Sequence, residues 1–395
     1  MKKVCVTGAG IITSVGLNYE ENHAALRKAQ PGIKKARFFQ SKYTESHCFG
    51  EIPFDTPALI SMAGLEGKLG ITRTDALAFK AFCEAVHSAG LTAEDIASSD
   101  TAFISASTVG GMCEHDALMS DVKMPENPSP FLFAFQNASH TLMLIKHFRM
   151  KGITNTINTA CSSSANAIIA GVKLIRSGRA KRAIVGGVDS LSKFTVNGFN
   201  ALRILSEEPT SPFDINRKGL SLGEGAAFIV LEKEEDATGK KQFANISGFA
   251  NAADAFHQSS LSDDGKGVVK VMRQAIQMWG LEPAQIHYVN AHGTGTDNND
   301  VVEYNGMKEI FGTIPPYNST KSYTGHTLGA AGAVEAVFSM MSMQSGELYQ
   351  SLNCNQPLGD IPPVAQLTTG VKIEHVLSNS FGFGGNCTSI ILSKC

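Results

Sequence analysis

"GEGAAFIVLEK" at residues 223–233 and "GGNCTSIILSK" at residues 384–394 are two versions of one phrase. In each, glycine permits a turn, and an apolar strand follows that ends Ile-(Val or Ile)-Leu-x-Lys. A second pair recurs at nearly the same displacement: "NTAC" from Asn158 and "NSTK" from Asn318, both leading into small residues and an apolar helical run. Two such echoes point to a duplicated unit. The run "KEEDATGKKQ" at 233–242 is charged and rich in turn formers, so it is the expected junction. It divides the chain into halves over residues 1–240 and 241–395, and a site is expected where the halves meet.

Working outward, strand-like runs alternate with helix-like ones. "KKVCVTG", "TAFISAS", "RAIVGGVDS" and "AAFIVLEK" precede the junction; "FANISGF", "IHYVNAH", "HVLSNSF" and "TSIILSK" follow it. Amphipathic stretches such as "TRTDALAFKAFCEAVHSAG" and "GKGVVKVMRQAIQMWG" lie between them. That order implies layered α/β structure. The 395 residues, 43% hydrophobic and 18% charged, suffice for a large core or two. With 34 basic and 36 acidic residues, the net charge of −2 offers no bulk attraction to nucleic acid or an anionic membrane.

The eight cysteines are scattered, with neither a CxxC pair nor zinc-finger spacing, which favours reduced thiols and a cytoplasmic location. Met1, Lys2 and Lys3 before "VCVTGAGII" superficially suit a signal peptide, but Thr7, Gly8 and Gly10 interrupt the apolar run. A strand and turn are expected there instead. "GAGIIT" has Thr13 where a dinucleotide fingerprint needs its third glycine. No segment reaches the ~18–20 apolar residues of a membrane span.

Candidate chemistry begins in "NTACSSSANAI", residues 158–168. Ile168, Val172 and Ile175 keep helical spacing, and Gly178 suits the C-terminal cap. Cys161 then sits at the helix N-terminus, where free N–H groups and the dipole favour a thiolate and can stabilise an oxyanion. Taken alone, the stretch better suits a buried structural cysteine, the commonest fate of a free thiol.

His292, in "NAHGTGTDNND", follows an apolar strand, and Lys321 and His326 precede a small-residue helix in "STKSYTGHTLGAAGAVEA". No third ligand lies near the histidines in sequence, so zinc is not expected. Glu335 falls mid-helix among apolar residues, where a carboxylate needs a partner, and Lys321 is the candidate. In "SNSFGFGGN", glycines allow movement, and Phe381 and Phe383 suit a hydrophobic lid.

Together these motifs resemble the β-ketoacyl-[acyl carrier protein] synthases, the decarboxylating condensing enzymes of type II fatty acid and polyketide synthesis. "PFDINRKGLSLGEGAA" at 212–227 is similar to that family's mid-chain signature, and the likeness runs the length of the chain. The resemblance implies a thiolase-like five-layered αβαβα sandwich of two similar halves, usually a homodimer. It also implies a decarboxylative condensation of an acyl thioester with malonyl carrier, giving 3-oxoacyl carrier and carbon dioxide in fatty acid elongation. In that likeness Cys161 accepts the acyl chain, while His292 and His326 bind the malonyl carbonyl and stabilise the enolate. Lys321, paired with Glu335, supports them electrostatically. Backbone N–H groups of Cys161 and Phe383 match the oxyanion hole, with Phe383 also the gate. Thr294 and Thr296 match residues that bind the phosphopantetheine arm, and Val109 matches a position lining the acyl pocket. The arm belongs to the acyl carrier protein, so no cofactor of the enzyme's own is implied.

Two stretches depart from the pattern. "GGNC" stands where members commonly have Gly-Gly-Thr-Asn, and "SEEPTSPFD" places two acids in a region often basic. The alternatives are a specialised polyketide or aryl-polyene synthase and a silent chain-length partner subunit, which usually lacks the cysteine. A non-decarboxylating thiolase would lack the histidine pair.

Overall fold

The computed structural model describes residues 3–121 and 129–395; Met1 and Lys2 of the charged N-terminal tripeptide lie outside them. Among the described residues, ten strands form one sheet. They are β1 (Val4–Thr13), β2 (Thr101–Ala106), β3 (Thr154–Ile157), β4 (Arg182–Asp189) and β5 (Gly225–Lys233), followed by β6 (Ala244–Ala253), β7 (Tyr288–Asn290), β8 (Tyr317–Asn318), β9 (His375–Gly382) and β10 (Asn386–Ser393). The order across the sheet is β3-β2-β4-β5-β1-β6-β10-β9-β7-β8.

Read outward from the centre, the two sides match. β5 pairs antiparallel with β1 and β4, and β2 pairs parallel with β4 and β3. β10 likewise pairs antiparallel with β6 and β9, and β7 parallel with β9 and β8. The two echoed phrases are therefore equivalent strands, β5 and β10. Only Cys5↔Asn245 and Val6↔Ala244 join the half-sheets through β1 and β6.

The covering helices include α1 (Arg73–Ser88), α2 (Ser163–Arg176), α3 (Lys266–Met278), α4 (Asp297–Phe311) and α5 (Ala331–Ser345). α2 and α5 pack against each other and contact strands of both halves, whereas α1 covers the first half-sheet and α3 the second. The layers are thus α1, sheet, α2 with α5, sheet, and α3 backed by α4, which is the expected αβαβα sandwich.

Strand β5 explains why its sequence is a continuous apolar run. Ala227, Ile229 and Leu231 face the central core, while Ala226, Phe228 and Val230 face the core under α1. A strand covered on both faces has no polar side to alternate with. α5 follows the same logic as a helix, being buried from Ala331 through Met343. α1 starts at a capping box in which the Asp75 N–H donates to Thr72 Oγ1 at 3.1 Å and the Thr72 N–H to Asp75 Oδ2 at 2.9 Å.

The glycines of "VTGAG" serve packing. A Cβ on Gly8 or Gly10 would sit 2.3 or 2.2 Å from the carbonyl oxygens of Ala85 and Ala81 on α1. All eight expected strands form, and two more, β3 and β8, were not foreseen. Both are short edge strands, polar or only two residues long, and carry no usable periodicity. No described helix is long and apolar enough to cross a membrane.

Candidate active site

The side chains singled out above gather at the carboxyl ends of parallel strands, the usual place for a site in such a sheet. β3 leads into the turn carrying Cys161, β7 into the His292 loop and β8 into Lys321 and His326, while β9 ends on Phe381 and Gly382. One cleft of about 220 Å³ is lined by Cys161, His292, Thr294, Thr296, His326, Phe381 and Phe383.

Cys161 lies in the turn before α2, two residues ahead of the helix, and Ala160 takes a left-handed φ of 54° to present it. This offset weakens the dipole and corrects the expectation of a stabilised thiolate. Burial pushes the Cys161 thiol up to about 11, although Lys321 and the N–H groups of Phe383 and Cys161 act in the opposite direction. The resting group is a thiol.

Gly382 brings the opposing wall close. A Cβ there would lie 2.6 Å from Thr159 O and 3.2 Å from Cys161 N. The Phe383 ring stacks on Phe199, with centroids 5.5 Å apart and planes at 18°, and the Phe381 ring meets His292 edge-on at 5.6 Å. The two phenylalanine rings thus pack on different neighbours, one on Phe199 and one on His292.

The two imidazole rings stand nearly perpendicular, centroids 5.4 Å apart. Lys321 Nζ donates to Glu335 Oε1, to His292 O at 2.6 Å and to His292 Nδ1 at 3.1 Å. Because an ammonium only donates, His292 Nδ1 must accept, which leaves the ring hydrogen on Nε2. His326 Nδ1 accepts the Leu328 N–H at 3.2 Å, so its hydrogen is also on Nε2, a buried atom with no partner. Burial holds both rings well below the usual histidine range, helped by Lys321, and for His292 also by His326. Both are neutral rings that carry the hydrogen on Nε2 and line the cleft, and the Phe381 backbone also hydrogen-bonds the His292 ring.

The fold does bring a third soft donor to the histidines, against the expectation from spacing. The Cys161 sulfur and one nitrogen of each ring lie within 4.8 Å of one another. The tautomers decide what this trio does: a protonated Nε2 donates hydrogen bonds and has no lone pair for a metal. A thiol facing two such donors suits acyl transfer with stabilisation of an enolate or oxyanion.

Lys321 and Glu335 are each about 2% exposed and paired, as the burial argument required. Burial pushes the Glu335 carboxyl up to about 7, with Lys321 opposing. Thr294 and Thr296 line the cleft with hydroxyls 2.8 Å apart. Val109 is not among the lining residues; it sits fully buried in an apolar cluster with Leu191, Leu220 and Leu328, behind the wall.

Sequence reasoning missed the buried carboxylates that shape the loops. Asp189 accepts N–H groups from Val109 at 2.9 Å and Gly329 at 2.7 Å, tying the two halves together beside His326. Glu303 accepts the N–H groups of His292 and Gly293, both at 2.8 Å, and Asp300 that of Thr294 at 3.0 Å. A lone acid in a helix or strand end carries no sign of its burial, so no signal was available. The "LGEGA" stretch is clearer in hindsight: His326 N donates to Ser221 O at 2.8 Å and Gly223 N to His326 O at 3.0 Å. Gly223 is needed there, because a Cβ would lie 2.0 Å from Thr324 O.

The family model described as "Beta-ketoacyl synthase, N-terminal domain" matches residues 1–237, and "Beta-ketoacyl synthase, C-terminal domain" matches residues 243–355. The chain is 30% identical to "3-oxoacyl-[acyl-carrier-protein] synthase 2" of Synechocystis over 100% of this chain and 98% of that protein. It is 32% identical to the protein of the same description from Vibrio cholerae, over 100% and 99%. Among solved structures, "The ishigamide ketosynthase/chain length factor" superposes with a TM-score of 0.90 at 26% identity, covering 100% of this chain and 99% of that one.

Proposed function

We propose that this chain, which belongs to the β-ketoacyl synthase family, is a 3-oxoacyl-[acyl carrier protein] synthase working through Cys161, His292 and His326. The observation that carries this reading is the convergence of one thiol and two Nε2–H donors in a single cleft.

Loading exchanges one thioester for another. The Cys161 sulfur attacks the acyl carbonyl, the N–H groups of Cys161 and Phe383 hold the oxyanion, and the carrier thiol leaves with the proton that Cys161 gave up. No net proton is consumed, so a resting thiol is compatible with the step. Malonyl carrier then enters along Thr294 and Thr296. Its thioester oxygen accepts from His292 and His326 Nε2–H, carbon dioxide departs, and the enolate carbon attacks the acyl-Cys161 carbonyl. Collapse expels the Cys161 sulfur as a thiolate and yields 3-oxoacyl carrier, and the thiolate takes one proton from solvent to return to the resting thiol. Lys321 occupies His292 Nδ1 and so keeps Nε2 a donor throughout, while Glu335 balances its charge.

The partner is an acyl carrier protein, and the assembly is a dimer of this chain. All eight cysteines are free, which supports a cytoplasmic setting. A polyketide or polyene role beside a chain-length partner is the second reading, favoured by the fold's likeness to the ishigamide ketosynthase pair. A silent subunit is disfavoured because Cys161 and both donors are in place.

Intact-mass measurement after exposure to a panel of acyl-carrier thioesters tests the proposal. Acylation should map to Cys161, and the chain accepted fastest separates a fatty acid from a polyene or aromatic starter. No adduct with any carrier thioester would overturn it.

A further inference from the structure

The Asn386 position is where "GGNC" departs from the pattern, and its side chain is a hub. Asn386 Oδ1 lies within hydrogen-bond reach of Ser162 Oγ at 2.7 Å, Asn166 Nδ2 at 2.9 Å, Asn251 Nδ2 at 2.7 Å and Thr388 Oγ1 at 3.4 Å, donors that share its two lone pairs, and Ser162 Oγ divides its one proton between Asn386 Oδ1 and Thr159 O, also at 2.7 Å. Ser162 directly follows Cys161, and Asn166 is one turn further along α2. Asn251 comes from β6, so three elements converge on one oxygen. Asn166 also donates to Thr159 Oγ1 at 2.9 Å, which ties in the residue two before Cys161.

The same residue anchors the opposing wall. Its backbone pairs across the hairpin with Gly382, at the other end of the three-residue turn Phe383–Gly385. Gly382 is the residue that touches the Cys161 turn, and Gly384 and Gly385, with φ of 79° and 76°, give the turn little stiffness of its own. Asn386 is thus the stiff link between the flexible turn and the Cys161 turn.

We propose that Asn386 is a positioning residue that holds the Phe383 N–H over Cys161 through its bonds to Ser162 and Asn166. This inference rests on the proposed function, because the position of the Phe383 N–H matters only if an oxyanion forms there. Asn386 itself touches neither sulfur nor substrate. The oxygen does the holding: among the described residues, Asn386 Nδ2 donates to no protein group.

The test compares Asn386→Leu, which keeps the size and removes the acceptor, with Asn386→Asp, which keeps the acceptor. Acylation of full-length protein is followed by mass, using the straight-chain acyl carrier that the parent accepts fastest, and kcat and KM are separated. Asn386→Leu should lower the kcat of loading roughly 10- to 100-fold, the scale of an ångström-level misplacement, with KM within about twofold. Asn386→Asp should recover loading to within about fivefold of the parent. Loading by Asn386→Leu at the parental rate, or equally slow loading by both variants, overturns the inference. So does a change confined to KM. If Asn386→Leu does not fold, Asn166→Leu and Ser162→Ala each remove one donor and should each lower kcat; unchanged kcat in both also overturns it. A parent that never acquires an acyl group at Cys161 sinks the proposed function first, so the two failures are distinguishable.

Discussion

At the scale of single residues, the proposed mechanism separates the nucleophile from the groups that stabilise charge, and mutation should separate the two half-reactions. Cys161→Ala should abolish acyl loading yet still release carbon dioxide from malonyl carrier. His326→Ala should load normally but condense at least ~10²-fold more slowly, the scale of losing an oxyanion donor. Radiolabelled malonyl carrier and acyl carrier, supplied separately, give both readouts; normal condensation by His326→Ala would remove the two-histidine mechanism. The thiol adds a pH signature. With Cys161 pushed up to about 11, its thiolate fraction rises with pH and does not level off near neutrality. Iodoacetamide labelling of Cys161 should therefore increase about tenfold per unit from pH 7 to 9; a plateau by pH 8 would show a much lower thiol. The buried pair supplies a stability test. Glu335→Gln leaves Lys321 without its carboxylate, an arrangement that costs about 3–5 kcal/mol, so the melting temperature should fall sharply. The sequence carried the residues proposed to react because each sits at a strand end beside small residues or glycine. It did not carry the state of Cys161: whether burial or the helix terminus prevails depends on a two-residue offset that spacing cannot resolve.

At the scale of elements, the hairpin from β9 into β10 brings the second half's wall against the first half's Cys161 turn. Its glycines are not equivalent. At Gly382 a Cβ would run into Thr159 O at 2.6 Å, whereas at Gly384, with φ 79°, a Cβ would meet nothing within 4 Å. Gly382→Ala must push the hairpin off the Cys161 turn, so loading should be lost and the fold destabilised. Gly384→Ala pays only for its left-handed backbone, about 1 kcal/mol, and should keep loading within a few-fold. Equal loading by the two variants would show that the close approach at Gly382 is unimportant. "SNSFGFGGN" marked this hairpin as mobile and aromatic, but which glycine is steric and which conformational depends on a neighbour more than 200 positions away in the chain. For the same reason β5 and β10 could be read from their echo, while β3 and β8, held only by pairing at the sheet edges, could not.

At the scale of the molecule, the duplication produces two half-sheets that share one interior. The central core joins Ile11, Ile168, Val172 and Leu231 from the first half to Ile246, Val337, Met340 and Ile390 from the second. α2 and α5, one from each half, are packed against each other between the sheets. Removing either half would expose a whole face of apolar strand and helix, so neither has a complete core of its own. The halves should therefore unfold together. The single tryptophan makes this testable. Trp279 follows α3 in the second half, and its ring lies 5.8 Å from the guanidinium of Arg176 at the end of α2 in the first. Tryptophan fluorescence thus reports on the second half and its contact with the first, while far-UV circular dichroism reports on all helices and strands. In a urea titration of the full chain the two transitions should coincide, with one midpoint and one slope. The fragment 1–240 expressed alone should fail to give a sharp near-UV signal or a cooperative transition, because the face of β5 that packs on α5 would be open to water. Fluorescence and dichroism transitions with separate midpoints, or a cooperatively folding 1–240 fragment, would mean that each half carries its own stability and that the shared interior is only a seam.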